Sequence, residues 1–100
     1  MSLSEAQKKY LRGLGHHLKP VIMIAESGLS ESVLAEFENA ISHHELIKVS
    51  VRVGDRDARA EIIKSLSSGN STDLVQRIGN MALLYRENPE KKKRIRLPSR

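Results

Sequence analysis

Apolar positions along this chain follow two rhythms, and the changes of rhythm mark its elements. From Ser4 to about His16, Ala6, Tyr10 and Leu14, with Leu11 beside them, recur at helical spacing. Ser4 followed three residues later by Gln7 fits a capping box at the start of that helix. Gly13 and Gly15 weaken its end, and Pro20 biases Lys19 toward an extended conformation. Val21-Ile22-Met23-Ile24 is a continuous apolar run, which predicts a strand buried on both faces. A loop over Ala25-Glu26-Ser27-Gly28 follows. Ser30 then caps a second helix reaching about Ser42, with Val33, Leu34, Phe37 and Ile41 as its buried stripe and Leu29 and Leu34 as a hydrophobic staple.

Between Leu46 and Val53 the period becomes two. Ile47, Val49, Val51 and Val53 share one face and Lys48, Ser50 and Arg52 the other, which predicts a half-buried strand with a basic outer face. Asp55 opens a third helix with Ala58, Ile62, Ile63 and Leu66 as its apolar side, and Gly69 suits its stop. Leu74–Ile78 and Met81–Tyr85 flank Gly79-Asn80, the signature of a two-residue hairpin turn. The expected fold is therefore α/β, a mixed four-stranded sheet with three helices in the order α-β-α-β-α-β-β. Residues 1–86 form one domain, and residues 87–100, charged and interrupted by Pro89 and Pro98, form a basic flexible tail. One hundred residues with 39% apolar content support a single core, with stability on the order of 5–10 kcal/mol.

Charge sharpens this picture. The net charge is +5. Met1 to Tyr85 carries ten Lys/Arg and ten Asp/Glu, whereas Arg86 to Arg100 carries seven Lys/Arg against Glu87 and Glu90. A basic tail suits a polyanionic partner, and equally a solvated end that only aids solubility. The absence of cysteine excludes disulfides and thiolate metal sites. There is no long apolar run to cross a membrane and no secretory leader pattern at the start, so the expectation is a monomeric, cytoplasmic protein with no membrane partner.

Chemistry-bearing constellations are few. Serines and histidines show no local nucleophile–base arrangement, and no enzyme activity is expected. His16-His17 and His43-His44 are adjacent pairs; neighbours on a helix point about 100° apart, so neither pair clamps a metal from one face. No metal or cofactor is expected. The loop before the second helix is a candidate phosphate site, because a helix N-terminus offers unpaired N–H groups and a glycine-bearing loop lets a sugar-phosphate backbone approach. Ser27 could add a hydroxyl there. On local sequence alone the favoured reading is a plain strand-to-helix turn in which Gly28 supplies an unusual backbone angle. Lys8, Lys9, Arg12 and Lys19 near the first helix, with Lys48 and Arg52 on a strand, would extend a phosphate-tracking surface. Glu31, Glu36 and Glu38 segregate to the second helix. Tyr10, Phe37 and Tyr85 are the only aromatics, so contacts to phosphate, shape and 2′-OH are expected, with little base stacking.

Several segments in register resemble the CRM family, the chloroplast RNA splicing and ribosome maturation domain, in particular its stand-alone bacterial YhbY type. They are Leu18-Lys19-Pro20-Val21 after His16, Gly28-Leu29-Ser30-Glu31, His43-His44-Glu45-Leu46-Ile47-Lys48-Val49, Ile78-Gly79 and Leu84-Tyr85-Arg86. The resemblance implies a fold similar to the C-terminal domain of translation initiation factor 3. It also implies RNA binding through a GxxG loop with neighbouring basic residues, and a place on ribosomal RNA in pre-50S ribosomal particles. The loop departs from the family pattern: Ala25 stands where the first glycine is expected, and Glu26 brings a charge that would repel a phosphate. Lys19, Lys48 and Gly28 are the first expected contacts, then Arg12, Lys8 and Lys9, with Ser27 and Arg52 beside them. Lys91, Lys92, Lys93 and Arg94 would add non-specific affinity. The alternative is a protein-interaction module docking on ribosomal proteins through the acidic face of the second helix.

Overall fold

Short capping signals set the helix starts. Ser4 accepts the Gln7 N–H at 3.2 Å while the Gln7 side chain accepts the Ser4 N–H at 3.0 Å, so the capping box is complete. Ser30 accepts the Val33 N–H and Asp55 the Ala58 N–H in the same way. The structure, a computed structural model, describes residues 3–68 and 72–99. Its elements are α1 (Glu5–Gly15), β1 (Pro20–Ile24), α2 (Glu31–His44), β2 (Leu46–Val51), α3 (Arg56–Ser67), β3 (Asp73–Ile78) and β4 (Met81–Tyr85). The expected order and mixed sheet are both present. Gly69, read as the stop of the third helix, lies outside the described residues.

The four strands lie in the order β1-β2-β4-β3. The β1–β2 pair is parallel, and β2–β4 and β3–β4 are antiparallel. Gly79 takes φ +57 in the β3–β4 turn, a left-handed conformation that glycine adopts without strain. One sheet face, bearing Ile22, Ile24, Val49, Val51 and Leu84, packs with Phe37 and Ile41 of α2 and Ile63 and Leu66 of α3. The other face receives α1. There Leu11 packs with Leu46, Val75, Leu83 and Tyr85.

The helix on this second face covers only part of it, which corrects several expectations. Val21 and Met23, expected to be buried on both sides, are 50% and 57% exposed, because β1 is an edge strand beyond the reach of α1. The α1 stripe also differs. Gln7, Leu11 and Gly15 face the sheet, one helical turn apart, whereas Ala6, Tyr10 and Leu14 are exposed. On α2, Leu34 is exposed, so it does not close a staple; Val33, Phe37, Ala40 and Ile41 face the core instead. Ser50, placed on an outer face, is buried, and its hydroxyl has no hydrogen-bond partner among the described residues.

The segment after Arg86, expected as a flexible tail, runs back over the α1 side of the sheet. Glu45 follows α2 with φ +66, uncommon for a non-glycine residue, and its side chain is fully buried. Its carboxylate accepts the N–H groups of Asn88 and Ile95, both at 2.8 Å, with Lys91 Nζ at 3.9 Å. Ile95 and Leu97 pack against the cluster around Leu11, and Gln7 Nε2 donates to the Pro98 carbonyl at 3.0 Å. The tail is therefore pinned by a buried acceptor and two apolar side chains.

Candidate nucleic-acid interface

The first group of cations collects where α1 ends and β1 begins. Gly15 sits on Leu83, so close that a methyl group there would come within 2.5 Å of a Leu83 methyl. Leu83 pairs with Lys48 across β4–β2, and Lys48 pairs with Pro20 across β2–β1. Lys19 precedes Pro20, and Arg12 lies one turn before Gly15. Arg12, Lys19 and Lys48 thus belong to chain segments that meet around Leu83 and Pro20, and none makes an ion pair among the described residues. Lys8 and Lys9 lie further back along α1 on the same side.

Beyond Lys48 the sheet face is open. Met23, Ser50, Met81 and Ile78 form one row across the four strands, by the register of the three pairings, with Met23 and Ile78 exposed and Ser50 buried between its neighbours. Lys48, Gln76, Ile78, Met81 and Leu83 line a shallow depression there. Arg52 lies at the far end of β2, where its N–H donates to the Ile24 carbonyl at 2.7 Å.

The glycine loop lies at that far end too. β1 separates it from Lys19 by about 13 Å, at roughly 3.3 Å per residue, so Lys19 and Gly28 do not meet at one phosphate. The loop itself is a turn in which the Gly28 N–H donates to the Ala25 carbonyl at 2.9 Å. Gly28 has φ +77, so glycine is required there for the backbone angle. Its amide is already engaged, which removes it as a phosphate donor. The Glu26 carboxylate accepts the Gly54 N–H at 2.7 Å and ties this loop to the one between β2 and α3. Ser27 is exposed beside it.

The tail cations divide. Lys91 is directed to Glu45 and Arg94 lies 3.8 Å from Glu87, while Lys92 and Lys93 are exposed. They line a cleft together with Tyr85, Ile95 and Leu97. On the opposite side of the sheet, the acidic helix is partly neutralised. Arg86 donates to both Glu38 carboxylate oxygens at 2.7 and 2.9 Å and to Thr72 Oγ1 at 2.9 Å. The Arg86 guanidinium holds the Glu38 carboxyl below its ordinary range, against a smaller upward push from burial. Among the described residues no group of three or more His, Cys, Asp or Glu is placed to hold a metal, and no helix is long and apolar enough to cross a membrane.

Pattern reading passed over Glu45 and three arginines. Arg56, Arg59 and Arg77 gather beside Gly79 although they belong to α3 and β3. The i, i+3 spacing of Arg56 and Arg59 was visible, but Arg77 joins them only through the sheet.

The family model of the CRS1 / YhbY (CRM) domain matches residues 3–86. A Pseudomonas aeruginosa protein named "Probable RNA-binding protein" is 50% identical over 95 residues, spanning 95% of this chain and 91% of the relative. A Haemophilus influenzae protein named "RNA-binding protein" is 48% identical over 97% of this chain and 96% of its own length. The solution structure of a hypothetical protein from Staphylococcus aureus, 36% identical, superposes with a TM-score of 0.80 over 97% of this chain and 100% of that one.

Proposed function

The chain belongs to the CRS1 / YhbY (CRM) domain family, and from that premise we propose that it is a non-catalytic RNA-binding protein whose partner is ribosomal RNA in precursors of the large subunit. It would act as a monomer in the cytoplasm. Relatives about half identical over nearly the whole chain carry RNA-binding names, which supports the class of ligand. The observation that carries the reading is the grouping of Arg12, Lys19 and Lys48, without ion-pair partners among the described residues, at the edge of an open sheet face. Cations so placed can follow a phosphate backbone while bases or sugars rest on the exposed strand residues. The acidic α2 lies across the sheet from them, so its charge does not oppose the approach. Docking on protein through α2 is the weaker reading, since Glu38 is already committed to Arg86.

RNA affinity of Lys48→Ala tests this, measured over a salt series with ribosomal fragments and unrelated RNA of equal length. Lys48 is half-buried on the open face rather than in the core, so the variant should fold normally. Its affinity should fall several-fold, and its log–log salt slope should shrink by about 0.7, one single-stranded phosphate contact. A folded variant with wild-type affinity removes Lys48 from the interface. Equal binding of ribosomal and unrelated RNA by the wild type refutes the ribosomal assignment and leaves general RNA binding standing. The tail is better tested by Lys92→Gln with Lys93→Gln than by truncation, because cutting after Arg86 would strip the buried Glu45 carboxylate of its partners.

A further inference from the structure

We propose that the cleft between the start of α3 and the β3–β4 turn, lined by Arg56, Arg59 and Arg77, is a second binding subsite for the phosphodiester backbone of RNA. This rests on the RNA-binding reading and adds a place to it, on the side of the sheet away from Lys48.

Three arginines from two elements line one open cleft of about 490 Å³ with Gly79 in its wall. Arg77 pairs with Ala82, whose side chain belongs to the core beneath α2 and α3, so Arg77 stands on the helix side of edge strand β3. That brings it toward the first turn of α3, where Arg56 and Arg59 lie on one helix face at i, i+3. Arg59 is pre-oriented. Its Nε donates to the Val53 carbonyl at 3.1 Å and its Nη2 reaches the Gly54 carbonyl at 3.5 Å, leaving Nη1 for a ligand. Arg56 and Arg77 make no ion pair or side-chain hydrogen bond among the described residues. Gly79 contributes no side chain, and nothing lies within 4 Å of where one would begin, so a ligand can come close to the backbone.

The local acids are otherwise engaged or do not line the cleft. Asp55 accepts the Ala58 N–H, and Glu26 accepts the Gly54 N–H. Asp57 is not among the lining residues. Arginine forks without carboxylates match phosphate oxygens, which accept two parallel N–H bonds. The wall formed by a turn and a helix end suits an extended backbone better than a compact metabolite. The glycine loop, whose Gly28 amide is already taken, does not offer the same donors.

The experiment compares wild type with Arg56→Gln/Arg77→Gln, leaving Arg59 in place because it braces the β2–α3 loop. RNA affinity is read by fluorescence anisotropy from low to high salt, and thermal melts confirm that both proteins are folded. The double variant should bind roughly tenfold more weakly at moderate salt, and its slope should shrink by about 1.4, two single-stranded phosphate contacts. Arg56→Lys/Arg77→Lys retains charge but loses the fork, so it should keep most of the slope while recovering only part of the affinity. Wild-type affinity and slope in the glutamine variant would overturn the subsite while leaving RNA binding intact, provided Lys48→Ala still weakens it. A wild type that binds no RNA would overturn the broader reading and the subsite together.

Discussion

Two glycines in α1, two residues apart, should respond to alanine with opposite signs. A methyl group at Gly13 meets nothing within 4 Å. The substitution therefore acts only through helix propensity, which favours alanine by up to about 1 kcal/mol and by less near a helix end. At Gly15 the methyl would lie 2.5 and 2.8 Å from the two Leu83 methyls, against ordinary carbon contacts of about 3.5–4 Å. Relief requires the helix to lift or Leu83 to turn by about 1 Å. Leu83 is 3% exposed and held in the cluster with Leu11, Leu46, Val75 and Tyr85, so it cannot move cheaply. Overpacking of this kind costs roughly 1–3 kcal/mol, which exceeds the propensity gain. The two variants should differ by about 2 kcal/mol, or roughly 8–16 °C in Tm for a domain of this size. Urea and thermal unfolding followed by circular dichroism measures both. In a Leu83→Ala background the cost of Gly15→Ala should vanish, since the atoms it strikes are gone. A Gly15→Ala protein as stable as Gly13→Ala would show that α1 does not press on β4 here, and would undo the placement of Arg12 beside Lys48.

Two further outcomes follow from the α1 side of the sheet. Glu45→Gln replaces one of two buried acceptor oxygens with an amide donor facing an N–H, so unfolding free energy should drop by about 1–3 kcal/mol. Amide exchange should accelerate at Asn88 and Ile95 ahead of the strands; unchanged protection there would refute the pinning of the tail. Burial, reinforced by the charges of Glu45 and Glu87, pushes the Tyr85 phenol up to about 12 from its ordinary 10. The folded state thus favours the neutral phenol, so its contribution is complete below pH 10 and is lost as pH rises toward 12. Tyr85→Phe should flatten that alkaline decline, and an unaltered pH profile would show that Tyr85 is not its source.

Much of the fold was legible because its signals are local. Ser4 with Gln7, the alternation from Ile47 to Val53 and the Gly79-Asn80 turn each specify an element within a few residues. What local pattern could not convey was coverage. Val21 and Met23 look like core residues until β1 is known to be an edge strand that α1 leaves bare. Tyr10 and Leu14 are large and apolar, yet Gln7 and Gly15 face the sheet one turn either side of Leu11, and at Gly15 the close approach to Leu83 selects a small residue. In the tail, abundant charge hid the alternate apolar pair Ile95 and Leu97. The site was partly readable. Lys19 and Lys48 belong together through the parallel pairing of β1 with β2, whereas the distance from Lys19 to Gly28 was implicit in a five-residue strand. Glu26 looked repulsive in one dimension because its acceptor role needs Gly54, twenty-eight residues away.

The buried Glu45 carboxylate also has a bearing on the order in which this protein folds. Its hydrogen-bond donors come 43 and 50 residues later in the chain. A folding chain can therefore assemble its strands and helices before the segment around Ile95 is in place. At that stage Glu45 sits in or near an apolar layer with no donors, which favours its staying hydrated and α1 staying loosely seated. Contacts of such long sequence separation form late in folding. The domain should therefore close its α2–α3 side first and its α1 side last, when the segment from Asn88 to Ile95 docks on Glu45. Until then Arg12 is not held against the sheet, so its place beside the strand that carries Lys48 is completed only in the last step of folding.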